Sequence, residues 1–245
     1  MKQYVTFLQE PNLTNRKVTN SDLFLLSKGK EGTRDQRLLI HKHTSTRLRE
    51  VDVQKIRNSK KYKRVTHRMH NLEKGITNLR SYYNSLLSEV NMDKSKLYYE
   101  FKIPKRSGGW REITAPIDQL KTIQKATVDY LTRYMELVPH HNAAAYTRKR
   151  SIKTDAETHK HSNHFGNVDL QNFFPSITSS KIRQVLSQID LFVLPEFSFL
   201  IDFIVEVGTL NDKLPQGTPL SPLLSNLIMI PFDYHISELL TKQDK

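Results

Sequence analysis

Asn167-Val168-Asp169-Leu170-Gln171-Asn172-Phe173-Phe174-Pro175-Ser176-Ile177 is the stretch on which the reading of this chain turns. A short apolar run leads to an acid, and an aromatic turn closed by proline follows. That order predicts a strand over 165–170 whose end delivers the Asp169 carboxylate into a cleft. Taken alone, Asp169 is as readily a capping or turn residue, and Phe173 and Phe174 are as readily core. The surroundings have to decide.

Two further motifs lie within reach. Leu214-Pro215-Gln216-Gly217-Thr218-Pro219-Leu220-Ser221-Pro222-Leu223-Leu224-Ser225-Asn226 is a Pro- and Gly-rich turn that runs straight into an apolar helix. Gly217 permits close backbone approach, and a helix N-terminus favours anions such as phosphate. A rigid loop with a helix start is the plainer reading. Upstream, Ile103-Pro104-Lys105-Arg106-Ser107-Gly108-Gly109-Trp110-Arg111-Glu112-Ile113 reads as a β-hairpin tip. Lys105 and Arg111 flank it and could grip a triphosphate, Lys as a point charge and Arg as a planar fork. A solvated basic turn is again the plainer reading.

Charge is unevenly spread. Residues 1–110 hold 24 Lys/Arg against 10 Asp/Glu, a net of +14, while residues 111–245 hold 14 against 15, a net of −1. A basic half beside a near-neutral one suits a polyanion, with nucleic acid first among candidates. With 37% hydrophobic and 26% charged residues the 245-residue chain is globular in composition and long enough for a sizeable core. There is no cysteine, which excludes a disulfide scaffold or a thiolate zinc site and fits a reducing cytoplasm. The start, MKQYVTFLQEPN, has neither the apolar core nor the cleavage site of a secretory signal. The apolar runs at 200–205 and 223–232 are interrupted by Asp202 or by Ser225 and Asn226, too early to span a bilayer, so no membrane partner is expected.

Periodicity places the motifs on elements. Residues 1–45 are weakly patterned, with a short helix expected near 21–27. Residues 46–92 read as basic helices, with Val51, Ile56, Met69, Leu72, Ile76 and Leu79 at spacings mostly of three and four. Strands are expected over 97–103 and 110–114. Asp118 is the expected N-cap of a helix to about Val138. Further helices are expected over 151–161, 178–189 and 220–240, the last with a possible kink at Pro231. The apolar run 197–207 is helix or strand. His159, His161 and His164 cluster in sequence, but without cysteines or a placed acid they face solvent or nucleic acid rather than a metal. Packing outweighs base stacking for the Tyr82-Tyr83 and Tyr98-Tyr99 pairs.

Together, the motifs resemble the reverse transcriptases of bacterial retrons, group II introns and antiviral-defence relatives. The similar segments are Ile103–Ile113, then Tyr146–His159 (YTRKRSIKTDAETH), then Asp169, Leu170 and Phe173–Ile177, then Leu214–Asn226. The chain departs at Lys149, where that family prefers Gly, and at Asp155, where it prefers Asn. The resemblance covers about 97–240. It implies an α+β, right-hand polymerase fold, with fingers and a partial palm over 93–245 behind a basic helical N-terminal extension over 1–92. Fingers would run over 93–165 and 178–213, palm elements over 166–177 and 214–245.

The resemblance also implies roles. Asp169 would be the catalytic aspartate and, with the Leu170 carbonyl, a ligand of two Mg²⁺ ions. Lys105 and Arg111 would hold the triphosphate, Phe174 would exclude a ribose 2′-hydroxyl, and Gln216 and Gly217 would line the incoming nucleotide. Arg150 and Ser151 would lie near the template. Partners would be an RNA template, a DNA or RNA primer and deoxynucleoside triphosphates. The Tyr-x-Asp-Asp hairpin that this family carries after the second motif does not occur in these 245 residues, nor does a thumb. The expectation is therefore that the chain alone is catalytically incomplete and that the missing palm and thumb segment acts in cis or in trans. Other readings are a non-catalytic RNA-binding module, a piece of a split gene, or untemplated DNA synthesis.

Overall fold

The structure, a computed structural model, describes residues 50–105, 108–162 and 168–243. The weakly patterned arm and the helix expected near 21–27 lie outside them.

Three helices come first: α1 (Glu50–Asn58), α2 (Lys60–His67) and α3 (Met69–Glu89). Ser59 starts α2 by accepting the Tyr62 amide on its hydroxyl at 3.1 Å. Along α3, Leu72, Ile76, Tyr83, Leu86 and Leu87 are buried, the single stripe their spacing dictates. The Tyr83 hydroxyl donates to the Glu206 carbonyl at 3.2 Å, and the Arg80 guanidinium lies 5.6 Å from the Phe203 ring centroid. The Lys94 ammonium donates to the same Glu206 carbonyl, and burial lowers its pKa to about 8. Of the two tyrosine pairs, Tyr83 and Tyr98 are buried while Tyr82 and Tyr99 are exposed. Packing claims one ring of each pair.

The two expected strands pair. β1 (Tyr98–Pro104) and β2 (Trp110–Pro116) run antiparallel from Tyr98 opposite Pro116 to Pro104 opposite Trp110. Gly108 and Gly109 turn the tip with φ of 86° and 80°, backbone angles that an L side chain resists. Helix α4 (Asp118–Asp129) follows. Its N-cap is Ile117, not Asp118; the acid sits one position inside, where its charge complements the helix dipole. The helix also stops earlier than Val138. It widens into one turn over Tyr130–Tyr134, in which the Met135 amide reaches back five residues to the Tyr130 carbonyl at 3.0 Å. Glu136 then takes a left-handed φ of 53°, which no helix continues through. The apolar positions Leu120, Ile123, Leu131 and Met135 are nonetheless buried as expected.

Beyond α5 (Ile152–His159) and the single turn α6 (Phe173–Ser176) come α7 (Ser179–Leu186), α8 (Ser198–Gly208) and α9 (Ser221–Gln243). The ambiguous run 197–207 is helical. It packs against α3, α4 and α7, so Leu200, Ile201, Phe203, Ile204, Val205 and Val207 are all buried; only a narrow strip of Ser198, Asp202 and Glu206 is left outside, and so dense an apolar run reads as strand or helix. Buried Gln124 on α4 donates to the Val207 carbonyl at 2.8 Å. Helix α9 contains Pro231 and is not divided by it. One cluster of buried side chains joins α1–α4, α7, α8 and α9. Among the described residues no helix is long and apolar enough to cross a membrane.

Neighbouring residues on α8 test this arrangement. Phe203 is fully buried, whereas Asp202 is exposed and pairs with Arg183. Phe203→Ala should cost about 3–5 kcal/mol. Asp202→Asn should stay within about 1 kcal/mol. Urea unfolding of both variants measures the difference.

Candidate functional site

The segment Leu214–Gly217 touches two other motifs through its main chain. The Leu214 amide donates to the Ile177 carbonyl at 2.9 Å, and the Gln216 carbonyl accepts from the Thr114 amide of β2 at 2.8 Å. Gly217 lies against the same strand. A Cβ there would sit 2.7 Å from Ile113 Cγ2 and 3.3 Å from the Thr114 carbonyl oxygen, and its φ is +119°. The loop is braced from behind by Ser221, whose hydroxyl donates to the Pro215 carbonyl at 2.6 Å. Thr218 Oγ1 accepts the Ser221 amide at 3.2 Å and so caps α9. Main-chain bonds thus draw together the hairpin, the end of the Asp169 motif and the Gly217 loop.

The approach to this junction is a tight turn. Leu210 and Lys213 exchange both backbone hydrogen bonds, at 2.9 and 3.0 Å. Asn211 and Asp212 between them have φ of 49° and 58°, the two-residue reversal that Asn and Asp tolerate.

Asp169 is exposed, Val168 beside it is 64% exposed, and Leu170 is half-buried. Residues 168–170 form no strand, contrary to the expectation for 165–170; residues 163–167 lie outside the described part. A strand needs a neighbour for its amides and carbonyls, and none of the described segments pairs with 168–170. Asn172 reverses the chain with φ of 53°, and α6 follows with the Ser176 hydroxyl donating to the Phe173 carbonyl at 2.7 Å. Phe173 and Phe174 are half-buried with rings 5.7 Å apart, edge to face. Asp169 makes no ion pair or hydrogen bond among the described residues. Its carboxylate and the Leu170 carbonyl are oxygen donors of the kind Mg²⁺ prefers. By themselves they do not make a metal site: among the described residues no group of three or more His, Cys, Asp or Glu side chains converges. His159 and His161 are exposed, and His164 lies outside the described residues.

At the hairpin tip the Lys105 amide donates to the Gly109 carbonyl at 3.0 Å. Lys105 and Arg111 are exposed. Lys102 and Glu112 pair with each other at 3.2 Å, so Lys105 and Arg111 remain as described cations of the tip without a carboxylate. Arg111 and Ile113 are two apart on β2 and share a face. Ile113 abuts Gly217, so Arg111 projects on the side of the loop.

Arg150 is exposed and Ser151 caps α5. The Ser151 hydroxyl accepts the Thr154 amide at 3.2 Å and the Thr154 hydroxyl accepts the Ser151 amide at 2.8 Å, a reciprocal box. Lys149 has φ of 64°, a left-handed angle that costs a side chain about 1–2 kcal/mol and accounts for the Gly preferred there in the sequences it resembles. Two ties that the sequence did not signal hold the residues just upstream to α9: Asn226 Nδ2 donates to the Ala145 carbonyl at 2.8 Å, and Asn142 Nδ2 to Ser237 Oγ at 3.3 Å.

Also unsignalled is the packing of His140. Its ring lies 4.4 Å from Tyr234 and 4.1 Å from His141. Burial, with a smaller push from His141, lowers its pKa to about 4. Next to Tyr234, burial raises Asp233 to about 6.

Two outcomes follow from this geometry. Gly217→Ala should lose about 1–3 kcal/mol of stability in urea unfolding, from strain at positive φ and from crowding of Ile113. Asp233→Asn should stabilise the chain near neutral pH. A carboxyl whose pKa rises on folding opposes folding once ionised, fully above about pH 6, and the opposition fades as pH falls toward about 4. The advantage of the Asn variant should shrink over that window in melts at several pH values. The opposite titration of His140 is common to both proteins and cancels.

Comparison with known proteins adds sequence relationship to this geometry. The family model described as "Reverse transcriptase (RNA-dependent DNA polymerase)" matches residues 103–242. The chain is 33% identical over 147 residues to the Retron Ec83 reverse transcriptase of Escherichia coli, covering 57% of this chain and 46% of that protein. It is 30% identical over 162 residues to the Retron Mx162 reverse transcriptase of Myxococcus xanthus, covering 60% and 33%. A third relative, the Retron Ec73 reverse transcriptase of Escherichia coli, is 30% identical over 153 residues, covering 60% and 48%. The chain thus spans less than half the length of these curated relatives.

Proposed function

The chain belongs to the reverse transcriptase family of RNA-dependent DNA polymerases, and from that premise we propose that residues 103–226 handle the incoming nucleotide in a retron-type RNA-directed DNA polymerase. The observation that carries this reading is the junction at Leu214–Gly217, which joins the hairpin and the Asp169 turn through main-chain hydrogen bonds.

On this reading Lys105 and Arg111 hold the triphosphate of a deoxynucleotide, the Arg in two-pronged fashion. Gln216 and Gly217 line the space for the base and sugar. Gly217 suits that place because its missing side chain lets the loop lie directly against Ile113 and Thr114 of the hairpin. Phe174 fills the space that a ribose 2′-hydroxyl would need. Arg150 contacts the template backbone, and Ser151 fixes the start of the helix beside it. Asp169 and the Leu170 carbonyl contribute oxygen ligands for the Mg²⁺ that this family generally uses. Bound there, the metal would activate the primer 3′-hydroxyl and stabilise the leaving pyrophosphate. Its remaining carboxylates come from a segment acting in cis or in trans. The substrates are an RNA template, a DNA or RNA primer and deoxynucleoside triphosphates. Residues 1–92 form a basic extension in front of fingers and palm elements.

Primer extension on an RNA template, with the protein that carries this segment, tests the assignment. Asp169→Ala should abolish incorporation while leaving RNA affinity unchanged. Lys105→Ala should raise the KM for deoxynucleotides by about tenfold or more, the scale of a charge-assisted hydrogen bond. Phe174→Ala should admit ribonucleotides. Full incorporation by the Asp169 variant would refute the reading.

A further inference from the structure

Between residues 53 and 88 there are nine Lys and Arg and one acid, Glu73. Apart from Lys55 and Arg80, which pairs with Glu206 at 3.8 Å, the cations of this stretch fall into two sets with different surroundings. One flank holds the helices to the body. Arg57 pairs with Glu196 at 3.3 Å, Arg64 with Glu136 at 2.5 Å, and Arg68 with Glu136 at 3.7 Å. The Lys61 ammonium donates to the Glu136 carbonyl at 2.8 Å.

The other set is Lys60, Lys63, His67, His70 and Lys74. Lys60, Lys63 and His67 share a face of α2, and His70 and Lys74 share a face of α3, by their spacing of three and four, and all five are exposed. Val65 on α2 and Leu72 and Ile76 on α3 are buried on the opposite side. No ion pair joins Lys60, Lys63 or Lys74 to a carboxylate among the described residues. The extension therefore satisfies its flank internally and presents an outer stripe of uncompensated charge.

We propose that this outer face of α2 and α3 docks the phosphate backbone of a base-paired RNA stem. Charge complementarity names a polyanion. Lys60 to His67 spans about 10 Å of α2 and His70 to Lys74 about 6 Å of α3 at the helical rise, together enough to meet several phosphates. His67 and His70 add N–H donors for phosphate oxygens. The stripe carries no Tyr, Phe or Trp. Tyr62, on the same helix, spends its hydroxyl on Glu196 at 3.1 Å and lies edge-on to Phe197 at 6.4 Å between centroids. Unpaired bases are held chiefly by broad stacking platforms, and this face offers only the two small imidazoles of His67 and His70. A stem read by shape and backbone needs only the charges. The contact uses none of the residues assigned to nucleotide handling and stands whether or not that assignment does.

Fluorescence anisotropy of the full chain with a labelled RNA duplex of about 16 base pairs tests the proposal. The triple variant Lys60→Gln, Lys63→Gln, Lys74→Gln should weaken binding about tenfold or more. It should also flatten the slope of log affinity against log salt by about 2.7, at about 0.9 per lost phosphate contact. The triple Lys→Arg variant should bind like the parent, and thermal melts of both should match it, since all three positions are exposed. Asp169→Ala should leave duplex binding untouched, so this contact and the nucleotide site fail or stand separately. Unchanged affinity and slope in the Gln variant would overturn the proposal. So would a preference for unpaired RNA of the same length.

Discussion

The main-chain hydrogen bond between Gln216 and Thr114 is the constraint from which the candidate site follows. It attaches a loop that begins at the end of α8 to a strand that begins before α4. Two residues earlier the same loop binds Ile177. Neither bond depends on a side chain, yet both require particular residues around them. Gly217 permits a φ of +119° and contact with Ile113, and Thr218 and Ser221 close the loop with their own hydroxyls. Replacing any of these changes the backbone path, and with it the relation of the basic hairpin to Asp169.

Behind this junction the core supplies rigidity. Helix α8 is covered by α3, α4 and α7, and polar groups at its C-terminal end are met individually: the carbonyl of Glu206 by Tyr83 and Lys94, that of Val207 by Gln124. Helix α9 leaves the loop and holds Asn142 and Ala145, just before the Tyr146–His159 segment, through Ser237 and Asn226. The basic helices attach through Glu136 and Glu196. Glu136 is also the residue at which the α4 region turns left-handed, so one residue ends a helix and anchors another.

Much of this was legible in the residues. The hairpin followed from two β-rich runs about Gly108-Gly109, and the amphipathic helices followed from the spacing of Leu72, Ile76, Leu120 and Ile123. The order of the motifs identified the family that the comparisons then showed. What escaped had physical causes. Helix α8 is buried on all but the narrow strip of Ser198, Asp202 and Glu206, and so dense an apolar run does not separate helix from strand. The α4 region ends at Glu136 because of a backbone angle and ion pairs with α2, which no local pattern announces. The strand expected before Asp169 depends on a pairing partner, and propensity alone does not provide one. The Asn226 and Asn142 ties and the His140–Tyr234 contact join positions about ninety residues apart, beyond the reach of periodicity.

The central claim is that three separated motifs form one nucleotide site. Photolabelling tests it most directly: the RNA-bound protein is irradiated with a photoreactive deoxynucleoside triphosphate and the modified peptides are mapped by mass spectrometry. The account predicts labelling within both the 103–113 hairpin and the 214–217 loop, suppressed in each by excess unlabelled deoxynucleotide. Competable labelling confined to other parts of the chain would contradict it.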